Sequence, residues 1–233
     1  MTYGTPVRAV LIANRGDNDG GVIGQLLRER GFVCEQWARE DALEWPQLAS
    51  DVAVVVPLGS DWSVYWPDIA HLVEAEATLL RAAHQAGIPV FGICFGGQIL
   101  AHALGGEVKR AEKSEIGWFS IDWNVTQVTL PAVDGAVWLQ WHYDCFVPPA
   151  HAQVLATSPA GVQAFRLGRS FGVQFHPEVT PQIIERWSSG PGADELHKVG
   201  MSPQELRAET EKRAATSATH AATLLAWFFE HAT

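Results

Sequence analysis

A cysteine in a glycine-rich turn has the setting that nucleophilic chemistry requires. Cys94 lies in the segment Gly-Ile-Cys-Phe-Gly-Gly-Gln at 92–98, directly after the apolar run 88–91. A strand, a tight turn and a helix in this order present the side chain of the turn residue at an apex. The partial positive charge at the N-terminus of a helix stabilises a thiolate there. The pattern predicts that Cys94 attacks a carbonyl carbon.

Farther along the chain, His176 and Glu178 are the candidates for activating this thiol. They lie two residues apart at the end of an expected strand, so their side chains can point to the same side. His176 would take the thiol proton and later protonate the leaving amine. Glu178 would orient the imidazole and stabilise its charged form. A Cys, a His and a carboxylate in these roles predict the cleavage of an amide through a covalent acyl-enzyme.

Two backbone N–H groups are expected to stabilise the oxyanion that forms during the attack. Phe95 follows the nucleophile and offers the first N–H at the start of a helix. The loop after Val56 follows a parallel strand and should end at the same edge of the sheet as Cys94. Gly59 in this loop is the candidate for the second donor.

Alternating strand and helix patterns predict the elements that position these residues. Near-continuous apolar runs predict strands at 7–13, 32–37, 52–56 and 88–93. Helical spacing of apolar residues predicts helices at 22–30, 68–86 and 95–104. This alternation is typical of an α/β fold in which a mostly parallel sheet carries helices on both faces.

The second half of the chain is predicted to contain antiparallel hairpins. Short strands are expected at 118–123, 125–130, 137–141, 154–156, 162–167 and 171–175, and a loop at 188–200. Ser202 and Glu205 form a capping-box pattern with Pro203 at the first helical position, which predicts a closing helix to about His231. Its apolar end, 224–229, should pack on the body of the protein or on a second subunit, which leaves a homo-oligomer open. Residues 1–233 show no repeat or linker and are predicted to form a single domain.

Composition narrows the classes of function. The 233 residues carry 16 Lys and Arg against 26 Asp and Glu, a net charge of −10, which argues against a nucleic-acid partner. Three cysteines are too few for a disulfide framework and fit a reducing, cytoplasmic setting. Neither a signal peptide nor a run long enough to span a membrane is apparent. The Gly-rich segment 14–21 lacks the spacing of a dinucleotide-binding or phosphate-binding loop, so no cofactor is expected.

The segments at 92–98 and 172–180, Gly-Ile-Cys-Phe-Gly-Gly-Gln and Gly-Val-Gln-Phe-His-Pro-Glu-Val-Thr, closely resemble the class I (triad) glutamine amidotransferases. Within that family the chain looks most like the amidotransferase domain of GMP synthase and its stand-alone relatives, which include γ-glutamyl amide and peptide hydrolases. The resemblance runs from the first strand to about Trp187. It implies a flavodoxin-like sheet, a γ-glutamyl thioester on Cys94, and a triad of Cys94, His176 and Glu178.

The resemblance also implies residues that bind the substrate. Gln98 matches the glutamine that contacts the glutamyl part of the substrate in these relatives. The run Trp141, His142, Tyr143 and Asp144 resembles a Trp-His-Gly-Asp segment that lines the substrate pocket.

Two departures from the family pattern bear on specificity. The usual Gly-Gly-Pro of the oxyanion loop is replaced by Leu58-Gly59-Ser60, and Leu58 does not readily adopt positive φ, so the path of the loop is expected to differ. Ser60 and Asp61 of this loop are further candidates for substrate binding. Tyr143 stands where the family has glycine, and its phenol would crowd or reshape the pocket beside the γ-amide. Both changes argue against strict specificity for free glutamine.

Aromatic residues at 62, 65 and 66, just after this loop, would either pack in the core or form a wall of an aromatic or apolar pocket. His142 and Asp144, together with His176 and Glu178, could also be drawn as a metal site. No ligand spacing stands out, and the cysteine turn already explains His176 and Glu178, so no metal is expected.

Several functions remain open from the sequence. No P-loop or pyrophosphatase signature is present, so the chain alone should not activate an acceptor with ATP. One hypothesis is a self-contained hydrolase of glutamine or an N-substituted γ-glutamyl amide. Another is a glutaminase subunit that passes ammonia to a separate synthetase. A third, from a different class, is a catalytically silent binding or regulatory module of the same fold, and a fourth is a cysteine peptidase or chaperone-like thiol enzyme of a related fold.

Overall fold

A mostly parallel β-sheet forms the centre of the protein. The computed structural model describes residues 7–17, 19–124, 133 and 135–232. The strands in these residues are, in chain order, β1 (Arg8–Ala13), β2 (Val33–Ala38), β3 (Val52–Pro57), β4 (Val90–Ile93), β5 (Glu107–Ser120), β6 (Asp122–Trp123), β7 (Val137–Val147), β8 (Gln153–Ser158), β9 (Gly161–Leu167) and β10 (Ser170–Val173).

Within the described residues, one sheet has eight strands in the order β2-β1-β3-β4-β10-β9-β8-β6. The first five strands in this order, β2-β1-β3-β4-β10, pair in parallel. The remaining three, β9, β8 and β6, continue the sheet in antiparallel pairings. The parallel part has the flavodoxin-like order 2-1-3-4-5, with β10 as its fifth strand. The predicted α/β class with an antiparallel region is therefore confirmed.

Helices cover both faces of this sheet. They are α1 (Gly21–Glu29), α2 (Ala70–Gln85), α3 (Phe95–Ala103), α4 (Pro181–Trp187), α5 (Pro191–Lys198) and α6 (Pro203–His231), with 3₁₀ turns at Arg39–Glu44 and Pro67–Ile69. Because side chains alternate along a strand, Leu11 of β1 packs in the cluster that contains α1 and α6, while Ile12 packs with α2 and α3. No helix in the described part of the chain is both long and apolar enough to cross a bilayer.

The closing helix begins and ends where the sequence predicts. Ser202 accepts a hydrogen bond from the backbone of Glu205, whose side chain bonds back to the N-cap, and Pro203 occupies the first turn. The apolar end of α6 packs on the body of the protein. Phe228 is 2% exposed, and its ring lies 5.3 Å from the ring of Phe91 on β4. Burying a side chain of this size contributes roughly 1.5–3 kcal/mol to folding.

The prediction of a loop at 188–200 is wrong, because this segment contains α5. Gly190 takes φ 54° as the N-cap, and Pro191 occupies the first turn, where its missing N–H is not needed. The Gly-Pro-Gly sequence therefore starts a helix rather than extending a loop. Helix α4 was also not expected from the sequence. Its N-cap is Thr180, whose side chain accepts from the backbone of Ile183.

The strand limits predicted between 107 and 147 are too short. β5 runs for 14 residues and pairs antiparallel with the 11-residue β7, forming a separate two-stranded arm. The first part of β5, at 107–115, is charged because much of it is exposed. It therefore lacks the apolar run by which strands are predicted from sequence. The expected strand at 118–123 is divided between β5 and β6 at Ile121. The strand expected at 125–130 lies outside the described residues.

Candidate active site

The site lies at the carboxyl edge of the parallel strands. Chain segments that leave β1, β3, β4 and β10 at this edge carry Asn14, Gly59, Cys94 and His176. In open α/β sheets this edge is where ligands bind. The two-stranded arm of β5 and β7 also borders the site. The backbone N–H of His176 donates to the carbonyl of Leu139 on β7 at 2.9 Å.

Cys94 occupies a strained turn between β4 and α3. Its φ of 51° and ψ of −110° are unusual for a residue with a side chain and cost roughly 1–3 kcal/mol. The turn closes because its neighbours lack side chains. A Cβ on Gly96 would lie 1.8 Å from the carbonyl oxygen of Pro57, and one on Gly92 would lie 2.4 Å from the carbonyl oxygen of Gly96. The turn therefore places Cys94 at the N-cap of α3.

His176 and Glu178 form a buried pair. The Nδ1 atom of His176 lies 2.7 Å from Oε1 of Glu178, and the two side chains are 4% and 3% exposed. The start of α1 holds the backbone of Glu178, because the backbone N–H of Val22 donates to the carbonyl of Glu178 at 2.9 Å. With Nδ1 bonded to the carboxylate, the imidazole is oriented as a proton-transfer group requires.

The thiol of Cys94 interacts with the other side of this imidazole. Burial by itself lowers the pKa of His176, but the charges of Glu178 and Cys94 and the hydrogen bonds to both outweigh it, so the pKa lies well above its usual value. Nε2 of His176 has no partner within standard hydrogen-bond geometry among the described residues, so its interaction with the sulfur of Cys94 is longer or more bent than a standard hydrogen bond. The structure thus brings Cys94, His176 and Glu178 together.

Gly59 lies against both reactive side chains. A Cβ on this residue would lie 3.0 Å from Cε1 of His176 and 3.8 Å from Cβ of Cys94. Leu58, beside it, is 3% exposed and is not among the residues with positive φ. Neither the N–H of Gly59 nor that of Phe95 donates to an acceptor among the described residues. Both donors border the thiol, as an oxyanion site requires.

Gln98 is buried one turn after Cys94 and is held by other protein groups. Its Nε2 donates to the carbonyl of Asp144 at 3.1 Å and to Oε1 of Gln174 at 3.3 Å. The carboxylate of Asp144 accepts from the hydroxyls of Ser63 and of Tyr65, the latter at 2.8 Å. These contacts make Gln98 and Asp144 part of the wall beside the nucleophile.

The other three residues of this β7 segment, Trp141, His142 and Tyr143, contact different parts of the protein. The backbone carbonyl of Trp141 lies 3.9 Å from Sγ of Cys94, while its indole donates to Glu195 of α5 at 2.7 Å. His142 engages the buried Glu115, with Nε2 3.3 Å from Oε2. The ring of Tyr143 lies beneath the guanidinium of Arg110 at 4.5 Å, and burial followed by the charge of Glu195 raises the pKa of the phenol.

The two residues after Gly59 differ in their contacts. The hydroxyl of Ser60 donates to Oδ1 of Asn14 at 2.6 Å and accepts from the backbone N–H of Trp62 at 3.0 Å, so Ser60 shapes the loop. Asp61 is exposed. Of the aromatic residues that follow, Trp62 packs against the core, whereas Tyr65 and Trp66 are 49% and 44% exposed.

Sequence reasoning missed two residues that contact the reactive groups. Gln174 is fully buried and donates from Nε2 to Sγ of Cys94 at 3.7 Å. It lies two residues before His176, so the alternation that pairs His176 with Glu178 could have found it. Trp187 packs edge-on against the imidazole of His176, with centroids 4.8 Å apart. Its indole donates to Asp17 at 2.9 Å, a contact across the tertiary fold that no local pattern signals.

Among the residues that the structure describes, no group of three or more His, Cys, Asp or Glu side chains is arranged as a metal site. The polar groups at this edge are a thiol, an imidazole bonded to a carboxylate, and backbone N–H groups. Such an arrangement is suited to acyl transfer.

A sequence model of the family described as glutamine amidotransferase class I matches residues 59–185, which is more than half of the chain. The chain belongs to the class I glutamine amidotransferase family. The matched part begins at Gly59 and contains Cys94, His176 and Glu178.

Relatives and solved structures agree with this assignment to the class I amidotransferases. A GMP synthase (glutamine-hydrolyzing) of Aeropyrum pernix is 34% identical over 214 residues, covering 87% of this chain and 40% of that protein. A GMP synthase of Pyrobaculum aerophilum is 36% identical over 178 residues, covering 73% of this chain and 32% of that protein. The chain therefore spans well under half the length of these curated relatives.

A glutamine amidotransferase of Thermotoga maritima matches this class I amidotransferase chain at nearly full length. The two structures have a TM-score of 0.86 at 27% identity, with 97% of this chain and 99% of the other covered. A glutamine amidotransferase of Methylobacillus flagellatus gives a TM-score of 0.82 at 25% identity, covering 97% and 96%. Chains of this size and fold thus occur among the solved structures.

Proposed function

We propose that this chain hydrolyses a γ-glutamyl amide, either glutamine or an N-substituted γ-glutamyl amine, through a thioester on Cys94. The observation that carries the proposal is the buried pair of His176 Nδ1 and Glu178 at 2.7 Å, which lies with Cys94 against the same residue, Gly59. Membership of the class I amidotransferase family supports the γ-glutamyl group as the acyl part of the substrate.

The first half of the reaction forms the thioester. The sulfur of Cys94 bonds to the γ-carbonyl carbon, and the carbonyl π electrons move to oxygen, where the N–H groups of Phe95 and Gly59 stabilise the charge. His176, charged after taking the thiol proton, gives that proton to the amide nitrogen. The carbon–nitrogen bond then breaks, and ammonia or the amine leaves with both bonding electrons.

The second half releases glutamate. Nε2 of His176 takes a proton from water, and the water oxygen attacks the thioester carbon. The same backbone N–H groups stabilise the second oxyanion. Its collapse breaks the carbon–sulfur bond, and the sulfur recovers a proton from the imidazole. Glu178 acts throughout by orienting His176 and stabilising its charge.

The surroundings of His176 favour a substituted amide. Trp187 packs against the imidazole of His176, which is proposed to protonate the leaving nitrogen. Trp141 in turn packs edge-on against Trp187, with ring centroids 6.2 Å apart. Tyr143, in place of the glycine usual in the family, adds a phenol to the same β7 segment. Aromatic groups bind an alkyl or aryl substituent on the amide nitrogen by burying its apolar surface. The unsubstituted amide of glutamine has no such surface to bury.

A glutaminase subunit is a second candidate. It is favoured by the relatives named glutamine-hydrolyzing GMP synthases, of which this chain matches 40% or less in the two cases compared. In this version the chain would hydrolyse free glutamine and pass the ammonia to a separate synthetase protein.

A substrate comparison separates these functions. The purified chain is incubated with glutamine, a γ-glutamyl alkylamide and γ-glutamyl anilide, and free glutamate is measured, with Cys94→Ala as the blank. Faster turnover of a substituted amide supports a stand-alone hydrolase of such amides. Turnover of glutamine alone agrees with hydrolysis of glutamine and favours the ammonia-supplying subunit over a hydrolase of substituted amides. If no substrate yields glutamate and a γ-glutamyl electrophile leaves Cys94 unlabelled, the chain is a silent binding module instead.

A further inference from the structure

A fully buried ion pair lies behind the loop that carries Gly59. Arg39, in the 3₁₀ turn after β2, is 1% exposed, and Glu76 of α2 is 0% exposed. The guanidinium Nε donates to Oε2 of Glu76 at 2.7 Å. Such a pair is weak evidence for stability, because a well-packed apolar pair of similar volume often serves equally well. Its other contacts therefore indicate what the arginine does.

Arg39 directs its remaining donors to the edge of the sheet that carries the site. Nη2 donates to the carbonyl of Leu58 at 3.1 Å, and Nη1 donates to the carbonyl of Gly59 at 3.3 Å. Nη1 also donates to Oδ1 of Asn14 at 2.9 Å, and the same oxygen accepts from the hydroxyl of Ser60. One side chain thus bonds, directly or through Asn14, to three consecutive residues of the loop.

These bonds determine the direction of the Gly59 N–H. In a planar trans peptide the C=O of one residue and the N–H of the next point in opposite directions. The carbonyl of Leu58 is held on one side by Arg39 and by the backbone N–H of Gly96 at 3.1 Å. The N–H of Gly59 must then point away from Arg39. Glycine has no side chain to limit rotation of this peptide, so the loop needs an external anchor.

The same guanidinium also contacts the side chain of Phe95, whose backbone N–H is the other proposed donor. Its Cζ lies 4.7 Å from the centre of the Phe95 ring, within the range of a cation–π contact. Arg39 therefore touches both segments whose N–H groups border the thiol, while remaining shielded from solvent.

We propose that Arg39, held by Glu76, is a positioning residue that keeps the Gly59 N–H aimed at the oxyanion. The sequence of this loop, Leu58-Gly59-Ser60, does not itself fix the orientation of the Gly59 peptide. The hydrogen bonds from Arg39 do so instead. The inference rests on the proposed amide hydrolysis and names a residue outside the triad on which that hydrolysis depends.

The test removes the anchor without leaving a buried charge. In the double variant Arg39→Met with Glu76→Met, both charged groups are replaced by apolar side chains of similar length. Arg39→Lys is the second variant, which keeps the positive charge beside Glu76 but lacks the fork that reaches both carbonyls. The matched control is Arg8→Met, which removes an arginine paired with Asp51 at the opposite end of β1.

Three readouts distinguish positioning from damage to the fold. The first is kcat and KM on the best γ-glutamyl amide. The second is the affinity for glutamate γ-semialdehyde, whose adduct with Cys94 carries its oxygen where the oxyanion forms. The third is alkylation of Cys94 by iodoacetamide, a displacement that forms no oxyanion. The melting temperature of each variant is measured alongside.

We expect both Arg39 variants to lower kcat about 100-fold and to weaken aldehyde binding by a similar factor, because one oxyanion donor is misaligned. KM and the iodoacetamide rate should stay within about twofold of wild type, and Arg8→Met should change none of these readouts. Unchanged kcat in the folded double variant overturns the inference, as does an equal loss in iodoacetamide rate, which indicates general damage. If the wild type neither releases glutamate nor binds the aldehyde, the proposed hydrolysis itself fails.

Discussion

Gly21 lies directly against Glu178, so closely that a Cβ on residue 21 would be 1.9 Å from the carbonyl oxygen of Glu178. Gly21 begins α1 with φ 51°, and the next residue, Val22, donates its N–H to that same oxygen. The first helix of the chain is thus in contact with the carboxylate-bearing residue that orients His176. Two segments more than 150 residues apart in sequence position one catalytic candidate.

We predict that Gly21→Ala lowers both activity and stability. The new methyl group must push the backbone of Glu178 away, in addition to the cost of positive φ. Gly31→Ala is the matched control, since Gly31 follows the same helix with φ 86° and a methyl group added there would meet nothing within 4 Å beyond its chain neighbours. The control should lose only about 1–2 kcal/mol of unfolding free energy. Equal kcat values in the two variants would contradict the role assigned to this contact.

Gly59→Ala is predicted to impair catalysis more than folding. The added Cβ would lie 3.0 Å from Cε1 of His176, so the imidazole has to shift by a few tenths of an ångström or more. Misplacement of a reacting group by about 1 Å costs about 100-fold in rate, and we expect a loss of kcat between tenfold and that value. The control is Gly24→Ala in α1, where the nearest atom is the end of the Arg28 side chain at 3.5 Å. Wild-type kcat in Gly59→Ala would argue against close packing of this loop on His176.

The proposed triad predicts a graded series of losses. Cys94→Ala and Cys94→Ser should abolish steady-state turnover, and His176→Ala should lower kcat by on the order of 10⁶-fold. Glu178→Gln should be milder, roughly 10⁴-fold, since it spoils the orientation of the imidazole rather than removing the bond-making group. Release of glutamate is the measurement, and circular dichroism confirms that each variant is folded. Retained turnover in Cys94→Ala would rule out the thioester.

The raised pKa of His176 predicts the alkaline side of the pH–rate profile. A pKa well above the usual value keeps the imidazole charged to higher pH, so activity that needs its proton should decline only well above pH ~6.5. Because the charge of Glu178 helps to raise this pKa, Glu178→Gln should move the alkaline limb to lower pH. The measurement is kcat/KM against pH for both proteins. A limb at the same pH in both would show that the carboxylate does not act on the imidazole.

Removing the thiol should lower the pKa of the same imidazole. The interaction with Cys94 raises the pKa of His176, and Cys94→Ser removes the sulfur while keeping a similar side-chain size. Burial, which lowers the pKa, is then opposed mainly by Glu178. An NMR titration of the His176 ring in wild type and variant checks this directly. An unchanged pKa would place the sulfur too far from the ring for proton transfer.

Local patterns predicted most elements of the parallel sheet. Strands such as β1 and β3 are short apolar runs, and α6 carries its own capping box, so each is encoded within a few residues. Elements whose stability comes from distant partners were predicted too short or missed. β5 is polar and is held by pairing with β7, while α5 starts at a Gly-Pro-Gly that resembles a loop.

The sequence by itself determined the candidate reactive groups: a cysteine between glycines at a strand–helix turn, and a histidine two residues before a glutamate. These are local signals, because strand alternation and turn sterics act over a few residues. Only the tertiary structure decided what surrounds them. Trp187 against His176, Gly21 against Glu178 and Arg39 behind Gly59 all join residues that are not neighbours in the chain. Such contacts arise from the order in which strands assemble in the sheet, and no local pattern encodes that order.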